Sequence, residues 1–188
     1  MKDLVDGRCG WCGTDPLYVA YHDNEWGKLI KDEKRLFEFL LLETVQAGLS
    51  WITILRKREG YRAAFCDFNV EQVAKLTEED VERLVLFEGI VRNRLKIKST
   101  ITNARLFMEI QEEFGSFYNY TLSFFPNNSP IINSPQKLSE IGVTSPESDA
   151  MSKDMKRRGF KFFGSTICYA HLQASGFIND HLVGCRCK

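Results

Sequence analysis

An all-α domain is what this sequence predicts, on three observations. Apolar residues recur with helical periodicity along most of the chain. Capping signals stand in front of several of those runs. Strand-like alternation is weak throughout. At 188 residues the chain suits one domain, 1–188, long enough to bury a core. Hydrophobic residues make up 44% and charged residues 27%, the composition of a water-soluble globular protein.

The elements follow in order. Lys31 to Ala47 is the clearest helix, acidic early and densely apolar on one face. Asn69 to Gln72 and Thr77 to Asp80 both have capping-box spacing before apolar runs. Thr77 therefore opens a helix to about Phe87. A turn containing Gly89 follows, and a second helix runs from about Arg92 to Glu112. Ser116 to Phe125 is aromatic-rich and is read as helix. Residues 126–136 hold Pro126, Pro130 and Pro135 among Asn and Ser, the composition of a surface loop. Thr144 and Glu147 repeat the capping-box spacing, with Pro146 in the first turn of a helix to about Arg158. A last helix covers Ser165 to Ser175 and ends near Gly176.

The net charge is zero, so a polyanionic partner would bind at a local basic patch. No run of eighteen apolar residues occurs, and no membrane span is expected. The first seven residues lack the apolar core of a signal peptide. The expectation is a cytoplasmic monomer.

Disulfides are disfavoured in a reducing cytosol, so the six cysteines need another account. Cys66 and Cys168 sit among apolar residues and read as packing. Cys9, Cys12, Cys185 and Cys187 cluster at the chain ends, and the three histidines are His22, His171 and His181. His181 and Cys185 have the spacing of one helical turn. Two thiolates and two imidazoles complete a tetrahedral zinc site with no open position, hence a structural one. Spacing leaves Cys12 and Cys187 as alternative ligands beside Cys9 and Cys185.

Glu43 shares a helix face with Leu36, Phe39, Leu40 and Ala47. A carboxylate on an inward face is costly without a partner or ligand, which makes Glu43 a candidate functional group or a member of an internal ion pair. Trp11, Tyr18, Tyr21 and Trp26 lie close together, and Trp51 follows Glu43 after a Gly-Leu-Ser turn. Such rings stack on flat bases and attract cations. Between the two central helices, Gly89 suits a turn of positive φ. Arg92, Arg94, Lys96 and Lys98 then crowd a helix start, where free amides and the dipole favour phosphate. Two further basic runs are Lys153 to Lys161 and Arg56 to Arg58.

Together these segments resemble the DNA-3-methyladenine glycosylase I family. The resembling stretches are Arg8-Cys-Gly-Trp11, Asp15-Pro-Leu-Tyr-Val-Ala-Tyr-His-Asp-Asn-Glu-Trp-Gly27, Gln46-Ala-Gly-Leu-Ser-Trp-Ile52, Lys156-Arg-Arg-Gly-Phe-Lys-Phe162, Ile167-Cys-Tyr169 and Asn179-Asp-His181, with Cys185 after them. They span nearly the whole chain. The resemblance implies a helix-hairpin-helix glycosylase fold, with the hairpin at about 79–101 and Gly89, Arg92, Arg94 and Lys96 toward DNA. It implies one structural zinc held by Cys9, His22, His181 and Cys185, joining the N- and C-terminal segments. It implies a base pocket of Glu43, Tyr18, Tyr21 and Trp51, with Trp11 and Trp26 nearby and Glu43 as the catalytic group. The substrate implied is double-stranded DNA carrying alkylated adenine, whose N-glycosidic bond is hydrolysed after the base is flipped out. The family lacks the catalytic Asp usual among its relatives. The competing reading is a zinc-stabilised DNA-binding or adaptor module. It accounts for the metal and the basic runs, not for a carboxylate among aromatic rings. A glycosylase with another lesion preference is a third.

Overall fold

The computed structural model describes residues 2–188. Its helices are α1 (Pro16–Asn24), α2 (Glu33–Gln46), α3 (Trp51–Ala64), α4 (Val70–Ala74), α5 (Glu78–Leu86), α6 (Arg94–Phe114), α7 (Phe117–Leu122), α8 (Pro146–Arg158) and α9 (Ser165–Ala174). Four two-residue strands complete it: β1 (Leu4–Val5), β2 (Arg8–Cys9), β3 (Ile131–Ile132) and β4 (Ile178–Asn179). None of these helices is long and apolar enough to cross a membrane.

Helix α2 is the axis of the packing. It is apolar nearly all round, and every residue from Leu36 to Val45 is buried. Helices α3, α6, α7 and α9 all pack on it. Asp32 caps its start by accepting from the Arg35 amide at 2.9 Å. The Glu33 carboxylate accepts from the amides of Phe117 and Tyr118 at 2.8 and 3.0 Å and from Gln111 at 2.8 Å, which ties α2 to α6 and α7.

Glu38, on the same buried helix, is fully engaged. Arg58 and Arg62 donate to it at 2.9 and 3.0 Å, and the Arg35 guanidinium lies 3.2 Å away. Arg58 and Arg35 also donate to Glu25 at 2.8 Å, so one network joins the residue after α1 to α2 and α3. A buried carboxylate with three guanidiniums has its desolvation offset; removal of one partner from such a set costs about 3–5 kcal/mol.

Helix α3 positions the turn between α5 and α6. Lys57 donates to the Glu88 carbonyl at 3.1 Å, and the Tyr61 hydroxyl accepts from the Val91 amide at 3.2 Å. Between them Gly60 meets Gly89: a Cβ on Gly60 would stand 2.0 Å from the Gly89 carbonyl oxygen. Gly89 itself does not take the positive φ expected of it. A Cβ on Gly89 would lie 3.2 Å from the Gly60 Cα and 2.5 Å from the half-exposed Phe87 ring, which would have to move.

Several boundaries differ from the sequence reading. The helix expected from Thr144 is capped by Ser145, which exchanges hydrogen bonds with Ser148 at 3.2 and 2.8 Å. Pro146 occupies the first helical position, so the cap is the residue immediately before it. The 126–136 loop contains β3, paired in parallel with β4 through Ile131–Ile178 and Ile132–Asn179. His181 and Cys185 sit in an irregular turn and not in a helix. Helices α1 and α3 carry little one-sided apolar pattern and were not expected. The start of α1 was nonetheless marked by Asp15 before Pro16, with the Asp15 carboxylate accepting from the Leu17 amide at 2.9 Å.

Candidate functional site: an aromatic cavity backed by a Cys/His cluster

The chain ends meet behind the site. β1 and β2 form a short antiparallel ribbon that places Cys9 beside the C-terminal turn. The Arg186 amide donates to the Gly7 carbonyl at 2.8 Å. Cys9, His22, His181 and Cys185 are all buried, and their ligand atoms lie within 4.8 Å of one another. The Cys9 sulfur is 3.7 Å from His181 Nδ1, and the Cys185 sulfur is 3.4 Å from His181 Nδ1 and 3.6 Å from His22 Nε2. Metal–ligand bonds of about 2.3 Å to sulfur and 2.0–2.1 Å to nitrogen give a tetrahedral S···N edge of about 3.6 Å.

The outer partners fit a metal as well. His22 Nδ1 is 2.8 Å from the Asp23 carboxylate, and His181 Nε2 is 3.1 Å from the Trp26 carbonyl oxygen. Each ring therefore turns its other nitrogen inward, as ligating histidines do. The Leu182 amide donates to the Cys9 sulfur at 3.4 Å and the Cys187 amide to that of Cys185 at 3.5 Å. Burial pushes the His181 imidazole down to about 4, so the ring stays neutral. Burial also pushes the Cys9 thiol up to about 12, a penalty that a divalent cation opposes. Cys12 bonds the Gly13 carbonyl instead of joining this group, and Cys187 turns its sulfur to Asp23 at 3.5 Å.

The cluster supports the wall of a cavity of about 240 Å³. Trp26 packs edge-on against His181 with centroids 4.6 Å apart, and Trp11 packs against His22 at 5.3 Å. Trp11 in turn meets Trp26 at 4.8 Å and Tyr18 at 5.2 Å. Tyr21 lies 5.4 Å from Trp51. The cavity is lined by all five of these aromatic residues together with Glu43, Gln46, Ile141, Ala170 and Gln173. Tyr18 and Tyr21 reach it because they are three apart on α1. Trp51 reaches it because α3 begins there.

Glu43 is 2% exposed and its Oε2 has no hydrogen-bond partner. Burial alone pushes its carboxyl up to about 8. The indole Nε1 atoms of Trp11 and Trp51 are likewise buried and unpartnered. Buried polar atoms are nearly always bonded in folded proteins. Three such atoms line this one cavity, an arrangement able to bond a flat polar ligand.

The basic helix start is only partly as expected. Arg92 is exposed and has no ion-pair partner among the described residues. Arg94 is exposed and ion-paired with Glu82. Lys96 departs from a solvent-facing role: it is 7% exposed, and its ammonium donates to the Val45 and Ala47 carbonyls at 2.8 and 2.6 Å. It closes the end of α2, where helix carbonyls lack partners and favour a cation. Four lining residues escaped the sequence reading. Gln46 lies in a stretch the family resemblance quotes. Ile141, Ala170 and Gln173 are distant in the chain, and no local pattern marks them.

The chain matches the methyladenine glycosylase family over residues 11–188. It is 53% identical over 180 residues to the DNA-3-methyladenine glycosylase 1 of Escherichia coli (strain K12), covering 96% of either protein. It is 41% identical over 181 residues to the DNA-3-methyladenine glycosylase of Haemophilus influenzae, covering 96% of this chain and 97% of that one. Among solved structures, a tyrosine-to-phenylalanine variant of 3-methyladenine DNA glycosylase I in complex with 3-methyladenine is similar with a TM-score of 0.93 at 37% identity, over 97% of each chain.

The buried carboxyl gives a pH-dependent stability. A carboxyl raised from 4.5 to about 8 on folding stabilises the fold fully below pH 4.5. That contribution is lost as pH rises through 8. Glu43→Gln lacks the titration. Its melting temperature relative to the wild type should rise from pH 4.5 to about 8 and level off above. A difference that does not change with pH would show a carboxyl of ordinary pKa.

Proposed function

The chain belongs to the methyladenine glycosylase family, and from that premise we infer that its aromatic cavity holds a 3-methyladenine turned out of DNA while the base is released from its sugar. The enzyme hydrolyses the N-glycosidic bond of 3-methyladenine in DNA, a step of base-excision repair. The observation that carries the assignment to this cavity is the unpartnered Glu43 carboxyl among Trp11, Tyr18, Tyr21, Trp26 and Trp51. The volume is below the roughly 300 Å³ at which pockets for drug-sized ligands begin, and suits one base.

Methylation at N3 leaves the nucleoside cationic, so the base is already a good leaving group. The chain then has little acid catalysis to supply. Its aromatic faces attract the cationic ring. Glu43, neutral when buried alone, is drawn to ionise opposite that charge and accepts hydrogen bonds from the adenine edge. Water adds to the sugar carbon as the bond to the base breaks, the base departs neutral, and the proton released from the water passes to solvent. Glu43 is the one acidic residue among the described lining residues, and its part is to bind and orient the base.

The α5–turn–α6 unit reads as the helix-hairpin-helix of the DNA grip, about 79–101. Double-stranded DNA is held there by the exposed Arg92, by Arg94 once it leaves Glu82, and by backbone amides near Gly89. The cluster of Cys9, His22, His181 and Cys185 is read as a closed structural zinc site, which would clamp the chain ends and hold Trp11 and Trp26 in the wall.

Three outcomes check this. Glu43→Gln should remain folded and bind DNA, yet release 3-methyladenine from alkylated DNA roughly ten- to a hundred-fold more slowly, since a hydrogen bond to a charged group contributes about 1.5–3 kcal/mol. Release at the wild-type rate would remove Glu43 from the reaction. Arg92→Ala should weaken binding to all duplexes alike and reduce the log–log salt slope by about 0.9. An unchanged slope would move the DNA contact elsewhere. Elemental analysis should find about one zinc per chain, and Cys9→Ser should lower the melting temperature. A metal-free protein of full stability would end the zinc assignment.

A further inference from the structure

Gln173 stands on α9 at the edge of the cavity and is held there by a network that the reaction does not otherwise use. Its Nε2 donates to Asp180 Oδ2 at 2.7 Å. Asp180 is 2% exposed. Its carboxylate also accepts from the Tyr169 hydroxyl at 2.5 Å and from Asn133 Nδ2 at 2.7 Å. Each of these donors is placed by the fold. Tyr169 lies one turn before Gln173 on the same helix. Asn133 and Asp180 follow the paired strands β3 and β4, and the Asn133 amide donates to the Asn179 carbonyl at 2.9 Å.

The chemistry of this network settles which way the Gln173 amide faces. The NH₂ side of Gln173 is the one turned to Asp180, whose Oδ2 also accepts from the Tyr169 hydroxyl. The amide group is planar, and its oxygen then points away from Asp180. Among the described residues that oxygen makes no hydrogen bond with another protein group, while Gln173 itself lines the cavity with Glu43. Gln173 thus adds to the cavity lining an amide whose NH₂ side is held by Asp180.

We propose that Gln173 is a specificity-determining residue of the base pocket: its side-chain oxygen, oriented by Asp180, accepts a hydrogen bond from the exocyclic amino group of the adenine and disfavours an oxo group at the same carbon. Asp180 is a positioning residue that acts through Gln173. An adenine presents two N–H donors at its C6 amino group. A 6-oxo purine presents an acceptor there, and two acceptors facing each other leave a lone pair buried without a proton. A site built to bond a particular donor rejects the analogue that lacks it far more strongly than an apolar wall does. The proposal rests on the cavity being the base pocket.

The test uses two free bases, 3-methyladenine and 3-methylhypoxanthine, which carry an amino and an oxo group at C6 respectively. Their affinities for the full-length protein are measured by calorimetry. Gln173→Leu, and Gln173→Met should the first variant fail to fold, should bind 3-methyladenine about ten-fold more weakly. Neither should lose affinity for 3-methylhypoxanthine. Asp180→Asn lets the Gln173 amide turn over, and should shift the ratio of the two affinities toward the oxo base. A merely structural loss would weaken both bases alike and leave the ratio unchanged, which would overturn the proposal. Full retention of 3-methyladenine binding by the Gln173 variants would also overturn it and leave the pocket standing. A wild-type protein that binds neither base would bring down the pocket assignment and this inference with it.

Discussion

The burial of α2 is the constraint on which the rest of the structure depends. A helix enclosed on every side must account for each polar group it carries, and α2 carries two carboxyls in its buried stretch, Glu38 and Glu43. They lie five residues apart and so face different neighbours. Glu38 meets three guanidiniums and welds α2 to α3 and to the end of α1. Glu43 meets aromatic rings and no donor, and its Oε2 stays without a partner. The same residue type on one helix therefore serves a structural role at one position and remains unsatisfied at the other. The difference lies in what the neighbouring helices bring, not in α2.

The cavity wall depends on contacts remote in the chain. Trp11 and Trp26 stand between the cavity and the Cys/His cluster and touch its histidines. Because β1 and β2, the C-terminal turn and α1 converge at that cluster, the chain ends and the pocket share one structural origin. Asp180, the neighbour of His181, holds another lining residue, Gln173. Loosening the last ten residues would thus disturb both aromatic packing and hydrogen-bond orientation. The hairpin is tied differently, through the contact of Gly60 with Gly89 and through Lys57 and Tyr61 of α3. Since α3 also begins with Trp51, one rigid element spans the cavity and the basic turn.

What was legible in the sequence followed from local chemistry. Glu43 could be read because a carboxyl at the spacing of Leu36, Phe39 and Leu40 violates the pattern of its own helix. Thr77 and Asp80 could be read because a capping box is a local exchange, and both of its bonds are present. Cys9, His22, His181 and Cys185 were candidates by residue type and spacing left Cys12 and Cys187 in contention; the family resemblance singles out the four, and their ligand atoms converge in the structure. Lys96 was misread for a tertiary reason. A lysine at a helix start is usually solvated, and only the arrival of the α2 end makes it a buried donor to Val45 and Ala47. Gln173 was invisible because a glutamine between Leu172 and Ala174 carries no signal until Asp180 is brought to it. Helices α1 and α3 went unread because their apolar and polar residues do not segregate: on α1 Leu17 and Ala20 stay exposed while His22 is buried, which leaves no one-sided pattern to read.

On the proposed reading, the unsatisfied pocket also accounts for how a small site distinguishes a damaged base from the many normal ones. Aromatic walls stack on any flat ring, so stacking without charge does not separate adenine from its methylated form. Charge can. Empty, the cavity holds Glu43 in a state where burial favours the neutral acid. A neutral adenine does nothing to reverse that preference, and its entry leaves a carboxylic acid facing the base. A cationic base lowers the cost of ionising Glu43 by supplying the opposite charge in the same low-dielectric space, where the interaction is strongest. The lesion thus generates the partner that binds it. A carboxylate already paired with an arginine, as Glu38 is, would respond to neither base, because its charge has been settled by the fold. Leaving Glu43 unpaired costs the folded state stability above the ordinary carboxyl range, and on the proposed reading that cost is the source of the discrimination.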